Sequence, residues 1–247
     1  MMVEMISIDF DFTSDTSRYW DGFWENSDLG MSKMDPDSAS KTLQNYQQIM
    51  WSRELPNGEK MDLKIGDGAD YLTWKELRFG SDSIIASFRY EKCRGLLEQV
   101  MTKVPDYKSF VEEFLRKTYT IGGEIIFPKH AGSINQTRGC NKSICDRFDL
   151  TLECIRRFYL GEKSPLWDVL NNDRKFFELF VDFRGYVEFF LLQDLVLEDF
   201  SGVKFWNEWK DFDDNPIPGN VEEYLKFIQN EVEFVKNRNN RIKKLGL

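Results

Sequence analysis

The central stretch of the chain, residues 118–160, changes from a strand pattern to a helix pattern across a polar loop. Residues 118–127 are mostly β-branched or aromatic, and Pro128 closes the run, which predicts a strand. Gly122 and Gly123 interrupt the run, and paired glycines inside a strand indicate a bulge or a close approach of another backbone. We expect the rest of the chain to pack around this stretch.

A helix pattern follows the loop. Ser143 is suited to be the N-cap, with Asp146 three residues later in the position of a capping-box partner, and Gly161 predicts the end of the helix. Between them, apolar residues recur at steps of three or four, which is the period of one helix face. That face consists of Ile144, Phe148, Leu152, Ile155 and Tyr159.

Elsewhere, strand patterns lie mainly in the first half of the chain and helix patterns in the second. Residues 2–12 alternate between apolar and acidic positions, which predicts an edge strand, and residues 61–65 alternate in the same way. Helical spacing predicts helices over residues 40–53, 94–104 and 109–118, two short helices broken near Gly185, and a last helix from about Asn220.

These elements predict an α+β fold, a helix-rich single domain with a small, mainly N-terminal sheet and a helical C-terminal half. The domain is expected to span residues 1–247, because neither a linker nor an internal repeat interrupts the pattern. Residues 1–40 are expected to be partly irregular, and residues 236–247 to form a basic C-terminal tail.

Composition narrows the function classes. The chain has 247 residues, 41% of them hydrophobic, and a net charge of −9, which is typical of a soluble globular protein. A negative chain lacks the positive field that non-specific binding to nucleic acid or to anionic membranes requires. The chain has no signal-peptide pattern at its start, and its most apolar segment, residues 186–197, is too short to span a membrane. We therefore expect a cytoplasmic protein, and its oligomeric state is left open.

The cysteines and the single histidine predict no metal site. The spacing of the cysteines contains no CxxC pair, and one histidine offers few nitrogen ligands. Free thiols in a reducing compartment are the expected state. The residues concerned are Cys93, Cys140, Cys145, Cys154 and His130.

The loop between the predicted strand and helix carries the candidate binding residues. It is cationic and rich in amides within an acidic chain, and such a loop leading to a helix N-terminus is suited to bind an anion. We expect Arg138 and Arg147 to be the main charge partners of a phosphorylated or nucleotide-like small molecule. The expected site residues are Lys129, His130, Asn135, Gln136, Arg138 and Arg147. No cofactor can be named, and whether the ligand is also chemically transformed stays open.

Two other groups of residues could carry chemistry. Asp149, Glu153 and Arg157 lie at successive i+4 positions, either as a carboxylate pair for catalysis or as a solvated face with a Glu153–Arg157 ion pair. We favour the solvated face. A thiol at Cys140 or Cys145 could pair with His130 as nucleophile and base, but one such pairing in a short loop is a weak signal.

A second class of function is a protein-interaction module without catalytic activity. Trp206 and Trp209 lie three residues apart before a polar loop, and exposed tryptophans can mark a contact surface. The basic tail could add an electrostatic contact with an acidic partner. Its basic residues are Lys236, Arg238, Arg241, Lys243 and Lys244.

Several longer motifs resemble a bacterial family that is known only as a domain of unknown function. The motifs are DPDSASKTL, MWSRELPNG, GSDSII, IGGEIIFP, SINQTRG, DRFDLTLECIRRFY and FFLLQDLV. The resemblance covers nearly the whole chain and implies one conserved module. It implies no activity and no catalytic residues.

Overall fold

The computed structural model describes residues 6–67, 70–138 and 144–247 and confirms the helix-rich α+β class. Helices outnumber strands, and short 3₁₀ turns at Glu91–Cys93, Ile121–Gly123 and Gln193–Leu195 connect some of them. The strands are β1 (Lys64–Ile65), β2 (Leu72–Trp74), β3 (Leu77–Ser83) and β4 (Glu124–Pro128). The helices are α1 (Phe12–Asp15), α2 (Pro36–Ala39), α3 (Lys41–Trp51), α4 (Arg94–Lys103), α5 (Tyr107–Thr118), α6 (Ile134–Thr137), α7 (Phe148–Tyr159), α8 (Trp167–Asn172), α9 (Arg174–Glu178), α10 (Phe183–Phe189) and α11 (Val221–Lys243).

The strands form one antiparallel sheet in the order β1-β2-β3-β4. The longest pairing joins β3 to β4, with Asp82 opposite Ile125 and Ser83 opposite Glu124. Every residue of β4 is buried, because the strand lies inside the molecule with helices packed around it. A buried strand reads as a continuous apolar run, which is why Ile125 to Phe127 stood out in the sequence.

The last helix, α11, packs across the turn that precedes β4. The Asn239 side chain accepts a hydrogen bond from the Gly122 N–H at 2.7 Å and donates one to Thr120 Oγ1 at 2.8 Å. A Cβ atom on Gly122 would lie 2.6 Å from both Asn239 Oδ1 and the Val235 carbonyl oxygen. The close backbone approach predicted from the paired glycines is therefore confirmed.

Several predicted helices are confirmed, and their caps have the expected chemistry. Ser40 caps α3 by accepting a hydrogen bond from the Leu43 N–H, and Asn220 caps α11 in the same way. Asp106 caps α5 through the Ser109 N–H. Short helices lie on both sides of the predicted break, although the chain breaks at residues 179–182, just before Gly185, which itself lies inside α10.

The predicted edge strand at residues 2–12 is wrong in its described part, residues 6–12. The Ile6 N–H donates to the Leu247 carbonyl and the Phe12 N–H to the Tyr119 carbonyl, so these backbone groups have no partner strand. Asp11 instead caps the short helix α1. The second alternating segment, residues 61–65, forms a strand only at its end, as β1.

The boundaries predicted in the central stretch are also wrong. Residues 118–123 are not a strand, because Thr118 ends α5 with its hydroxyl donating to the Phe114 carbonyl, and a 3₁₀ turn follows. The helix begins at Phe148 rather than near Ser143, which lies outside the described residues. Ile144 pairs with Arg138 in a parallel bridge, so it is extended rather than helical.

The C-terminal basic residues belong to α11, which continues to Lys243. Arg238 is fully buried, and its guanidinium donates to the backbone carbonyls of Phe190, Gly122 and Glu124. Arg241 forms a two-point ion pair with Asp194. Arg238 and Arg241 therefore stabilise the packing of α11 and are not part of a separate basic tail.

Candidate functional site

Arg138 is buried in ion pairs with protein carboxylates. Its side chain is 1% exposed, and its two terminal nitrogens lie 2.6 Å from Asp82 Oδ2 and 3.1 Å from Asp146 Oδ1. It also donates to the Ser83 carbonyl at 3.1 Å. The guanidinium therefore joins β3 to the segment that leads into α7, and most of its donors are occupied.

Arg147 is buried more completely, with a side chain that is 0% exposed. It forms a two-point pair with Asp149, which is equally buried, and donates to the Pro216 carbonyl at 2.9 Å. Asp149 also accepts a hydrogen bond from the Trp206 N–H at 3.0 Å. The geometry gives no support to Arg147 as a ligand for an external anion, because no part of its guanidinium reaches solvent.

His130 lies at the surface and pairs with a residue between α8 and α9. Its Nε2 is 2.8 Å from Asp173 Oδ1, and its Nδ1 is 3.0 Å from the Ala131 carbonyl oxygen. The contact with the Ala131 carbonyl raises the pKa of His130, and the Asp173 carboxylate adds to this effect. Burial raises the pKa of Asp173, although the imidazole opposes this effect.

The three remaining predicted residues do not meet in one place. Lys129 and Asn135 line a shallow recess beside β3. Gln136 is exposed, and its side-chain oxygen accepts a hydrogen bond from the Gly132 N–H at 2.8 Å. The structure therefore brings together only Lys129 and Asn135 from the six residues expected to form the site.

The proposed thiol chemistry gains no support from the described cysteines. Among the described residues, Cys93, Cys145 and Cys154 are not joined to one another by disulfides, and Cys140 lies outside the described residues. The Cys145 sulfur lies 3.4 Å from the Tyr90 hydroxyl. Burial raises the pKa of the Cys145 thiol, which disfavours the reactive thiolate.

Asp149, Glu153 and Arg157 of α7 form ion pairs within the protein. The prediction that they lie on a solvated face is wrong. Asp149 is fully buried with Arg147, and Glu153 is also buried. Glu153 binds Arg156 at 2.7 Å and Arg157 at 2.8 Å, so the predicted i,i+4 pair is confirmed. Both carboxylates are already neutralised by arginines, which leaves no carboxylate pair for catalysis.

The aromatic surface considered for protein contacts is largely internal. Trp206 is 5% exposed and packs against Phe227 and Phe234 of α11. Trp209 is partly buried between Phe205 and Phe212. This arrangement leaves a small aromatic cluster at the surface rather than a pair of exposed tryptophans.

Four aspartates that the sequence reasoning did not select face one cleft of about 390 Å³. Asp35 and Asp37 flank the start of α2, Asp82 lies in β3, and Asp146 precedes α7. We name this feature the acidic cleft. Its carboxylates come from three distant segments, which meet because α2 packs against β3 and Arg138 holds Asp146 next to Asp82.

The surroundings of the acidic cleft raise the pKa values of three of its aspartates. Burial raises the pKa of Asp82 to about 6, more than the neighbouring Arg138 lowers it. Burial, together with the charges of Asp35 and Asp82, raises the pKa of Asp37 well above its usual range. Burial also raises the pKa of Asp35, although the Tyr119 hydroxyl donates a hydrogen bond to it at 3.1 Å.

Aromatic rings and one arginine complete the cleft. The rings of Tyr19, Phe88, Tyr90 and Tyr119 line it. Arg89 also lines it, but its guanidinium is held by the Ser87 hydroxyl and the Gly30 carbonyl at 2.7 and 2.8 Å. The cleft therefore combines a carboxylate-rich floor with aromatic surface.

Sequence reasoning missed this cleft because its aspartates look like turn residues. Asp35-Pro36-Asp37-Ser38 has the composition of a turn and helix entry, which it also is. Asp82 lies in an alternating strand segment where a polar residue signals solvent exposure. A possible signal was the repeated pairing of Asp with Ser in the DPDS and GSDS segments, two segments that meet in space.

Within the described ranges, no three histidine, cysteine, aspartate or glutamate side chains are arranged to hold a metal ion. The same ranges contain no helix with the length and apolar character of a membrane span.

Residues 6–242 match the model of a protein family described as "Family of unknown function (DUF6994)". Comparisons with curated proteins and with solved structures give no match.

Proposed function

We propose that this chain, which belongs to the Family of unknown function (DUF6994), binds a small organic cation in the acidic cleft. One observation carries the proposal: Asp35, Asp37 and Asp82 face the same cleft and all have raised pKa values. A raised carboxyl pKa marks a negative charge that its surroundings compensate poorly. A bound amine or guanidinium group would supply the missing positive charge.

The walls of the cleft suit such a ligand. Cations bind favourably over aromatic faces, and Tyr19, Tyr90 and Tyr119 all line the cleft. Its volume of about 390 Å³ lies within the range of about 300–1,000 Å³ that is typical of small-molecule sites. An aliphatic amine or a guanidinium compound of metabolite size fits both the volume and the charge.

The predicted phosphorylated or nucleotide-like ligand has weaker support at the acidic cleft. An anion there would face four carboxylates, and like charges repel at close range in a partly buried site. The buried guanidinium of Arg138 is already paired with Asp82 and Asp146, so it is not available to an anionic ligand. The charge balance therefore favours a cationic ligand at this position.

The protein-interaction function also has weaker support. It relied on two exposed tryptophans and a free basic tail, whereas Trp206 is buried, Arg238 is buried and Arg241 is paired with Asp194. The remaining surface cluster around Trp209 is small. We therefore rank small-molecule binding above protein interaction.

A ligand screen tests the proposal. Agmatine and spermidine serve as cationic probes, with glycerol and inorganic phosphate as neutral and anionic probes, and binding is measured by calorimetric titration. Each charge-assisted hydrogen bond contributes about 1.5–3 kcal/mol, so Asp37→Asn should weaken binding of the cationic probe by about tenfold or more. The matched control is Glu208→Gln, an exposed carboxylate outside the cleft, which should bind like the parent.

Two results would contradict the proposal. Either no cationic probe binds the parent protein, or a probe binds the parent and Asp37→Asn with equal affinity. The second result would place the cation elsewhere on this acidic protein.

A further inference from the structure

We propose that the cation held in the acidic cleft is part of a basic amino acid, and that the carboxylate of this ligand binds Arg89. The inference rests on the proposed function, because the aspartates of the acidic cleft take the cationic groups of the same ligand. It goes further by assigning a residue to the anionic end of that ligand. Arg89 lines the acidic cleft and is partly exposed, so a ligand in the cleft can reach it.

The guanidinium of Arg89 is held in place by neutral groups. Its Nε donates to the Ser87 hydroxyl at 2.7 Å, and its Nη1 donates to the Gly30 carbonyl at 2.8 Å. The guanidinium carbon also lies over the ring of Phe23, 5.2 Å from the ring centroid. An arginine side chain carries five N–H donors, so these two hydrogen bonds leave donors for a carboxylate.

The support behind Arg89 is tightly packed. Phe23 is 1% exposed, and Gly30 lies directly against its ring, where a Cβ atom on Gly30 would come within 2.2 Å of Phe23 Cε1. Gly30 also has a φ of +76°, a conformation that glycine adopts without strain. The carbonyl that anchors Arg89 is therefore fixed by packing. A guanidinium that is fixed before binding loses little freedom when a carboxylate arrives.

The charge of Arg89 is not neutralised by an ion pair. Among the described residues, no carboxylate forms an ion pair with Arg89, whose hydrogen bonds go to Ser87 and Gly30. Burial raises the pKa of Asp35, and Arg89 opposes this rise, but Asp35 takes its side-chain hydrogen bond from the Tyr119 hydroxyl at 3.1 Å. Arg89 therefore remains available to an anionic group of the ligand.

The balance of charge favours a basic amino acid over a neutral one. Four aspartates line the acidic cleft, whereas the arginines that act on them are Arg89 and Arg138. A ligand with one carboxylate and two cationic groups compensates this excess of negative charge, which a ligand with one charge of each sign does not. Free arginine and free lysine have this pattern of charges.

Free L-arginine and agmatine are matched probes, since agmatine has the same guanidinium and an amine but lacks the carboxylate. We would measure their affinities for the 247-residue chain by calorimetric titration at low ionic strength. A guanidinium binds a carboxylate through two parallel charge-assisted hydrogen bonds, so L-arginine should bind the parent about tenfold more tightly than agmatine.

Two variants locate the source of this preference. Arg89→Gln should abolish it by weakening L-arginine alone, because agmatine has no carboxylate to contact Arg89. Arg184→Gln is the matched control, since Arg184 is an exposed arginine outside the cleft, and it should keep the preference of the parent.

The outcomes separate this inference from the proposed function. If agmatine binds the parent and L-arginine binds no more tightly, the role of Arg89 is overturned while amine binding in the acidic cleft stands. If Arg89→Gln weakens both probes equally, Arg89 only supports the fold of the cleft, and its role as a ligand contact is overturned as well. If no cationic probe binds the parent, both proposals fail. The comparison of the two probes on the parent needs no variant, so it decides the matter even if Arg89→Gln does not fold.

Discussion

At the residue scale, Arg147 is expected to stabilise the fold rather than to bind a ligand. Truncating it leaves the buried Asp149 without its guanidinium partner, and breaking a buried ion pair from one side costs about 3–5 kcal/mol. Arg147→Ala should therefore lower the free energy of unfolding by about that amount in a urea titration without ligand. Arg184→Ala, which removes an exposed i,i+4 pair with Glu188, should cost about 0–1 kcal/mol. Equal losses in the two variants would contradict the structural role.

The two arginines show what a local sequence pattern can and cannot predict about a residue. Their positive charge within a polar segment was correctly noted. One of the two carboxylate partners of Arg138, however, is Asp82, which is 56 residues away in the chain, and only the packing of β3 against the segment before α7 brings it to Arg138. A local pattern reveals a charge, but whether a ligand or the protein neutralises it depends on the fold.

His130 should make stability decrease as pH rises above the unfolded pKa of the imidazole, about 6.5. Its pKa is raised in the folded protein, so the protonated imidazole stabilises the fold below its unfolded pKa of about 6.5, and this contribution is lost as pH rises through the folded value. His130→Asn removes it. The stability difference between parent and variant, from urea titrations, should be largest at mildly acidic pH and shrink as pH rises. A difference that grows with pH would show that Asp173 does not favour the charged imidazole.

At the element scale, α7 should depend on its apolar face. Leu152 is fully buried, and truncation of a buried leucine costs about 2–5 kcal/mol because of lost contacts and the cavity left behind. Leu152→Ala should lower the unfolding free energy by that amount. Leu160→Ala, just past the end of the same helix and 57% exposed, is the matched control and should change stability little. An unchanged melting temperature for Leu152→Ala would mean that the helix face has been misassigned.

Helices with a regular apolar period and a capping side chain at their start could be predicted from the sequence, whereas elements that lack these features could not. The starts of α3 and α11, predicted near Ser40 and Asn220 from helical spacing, are confirmed, and each of these side chains accepts a hydrogen bond from a backbone N–H of the first turn. The start of α7 could not be found this way, since its N-cap, Arg147, makes no capping hydrogen bond. Ile144 kept the helical spacing by coincidence, while its backbone pairs with Arg138 in an extended conformation.

At the scale of the whole molecule, the fold creates a site that no single segment contains. The acidic cleft forms where α2, β3 and the residues before α7 converge, and its repelling carboxylates reduce stability. Because the pKa of Asp82 is raised to about 6, the folded state holds a proton that the unfolded state releases near pH 4. This carboxyl therefore stabilises the fold below about pH 4 and loses that contribution as pH rises through about 6.

The most direct test of the cationic-ligand account is the proton balance of binding. A bound cation favours the ionised carboxylates, so binding at about pH 6 should release protons, and affinity should rise as pH increases through the pKa of Asp82. We would titrate the parent protein with the tightest cationic probe near pH 6 in two buffers of different ionisation enthalpy, which gives the number of protons exchanged. The account predicts net proton release and tighter binding at higher pH. Proton uptake, or an affinity that does not change with pH, would contradict it.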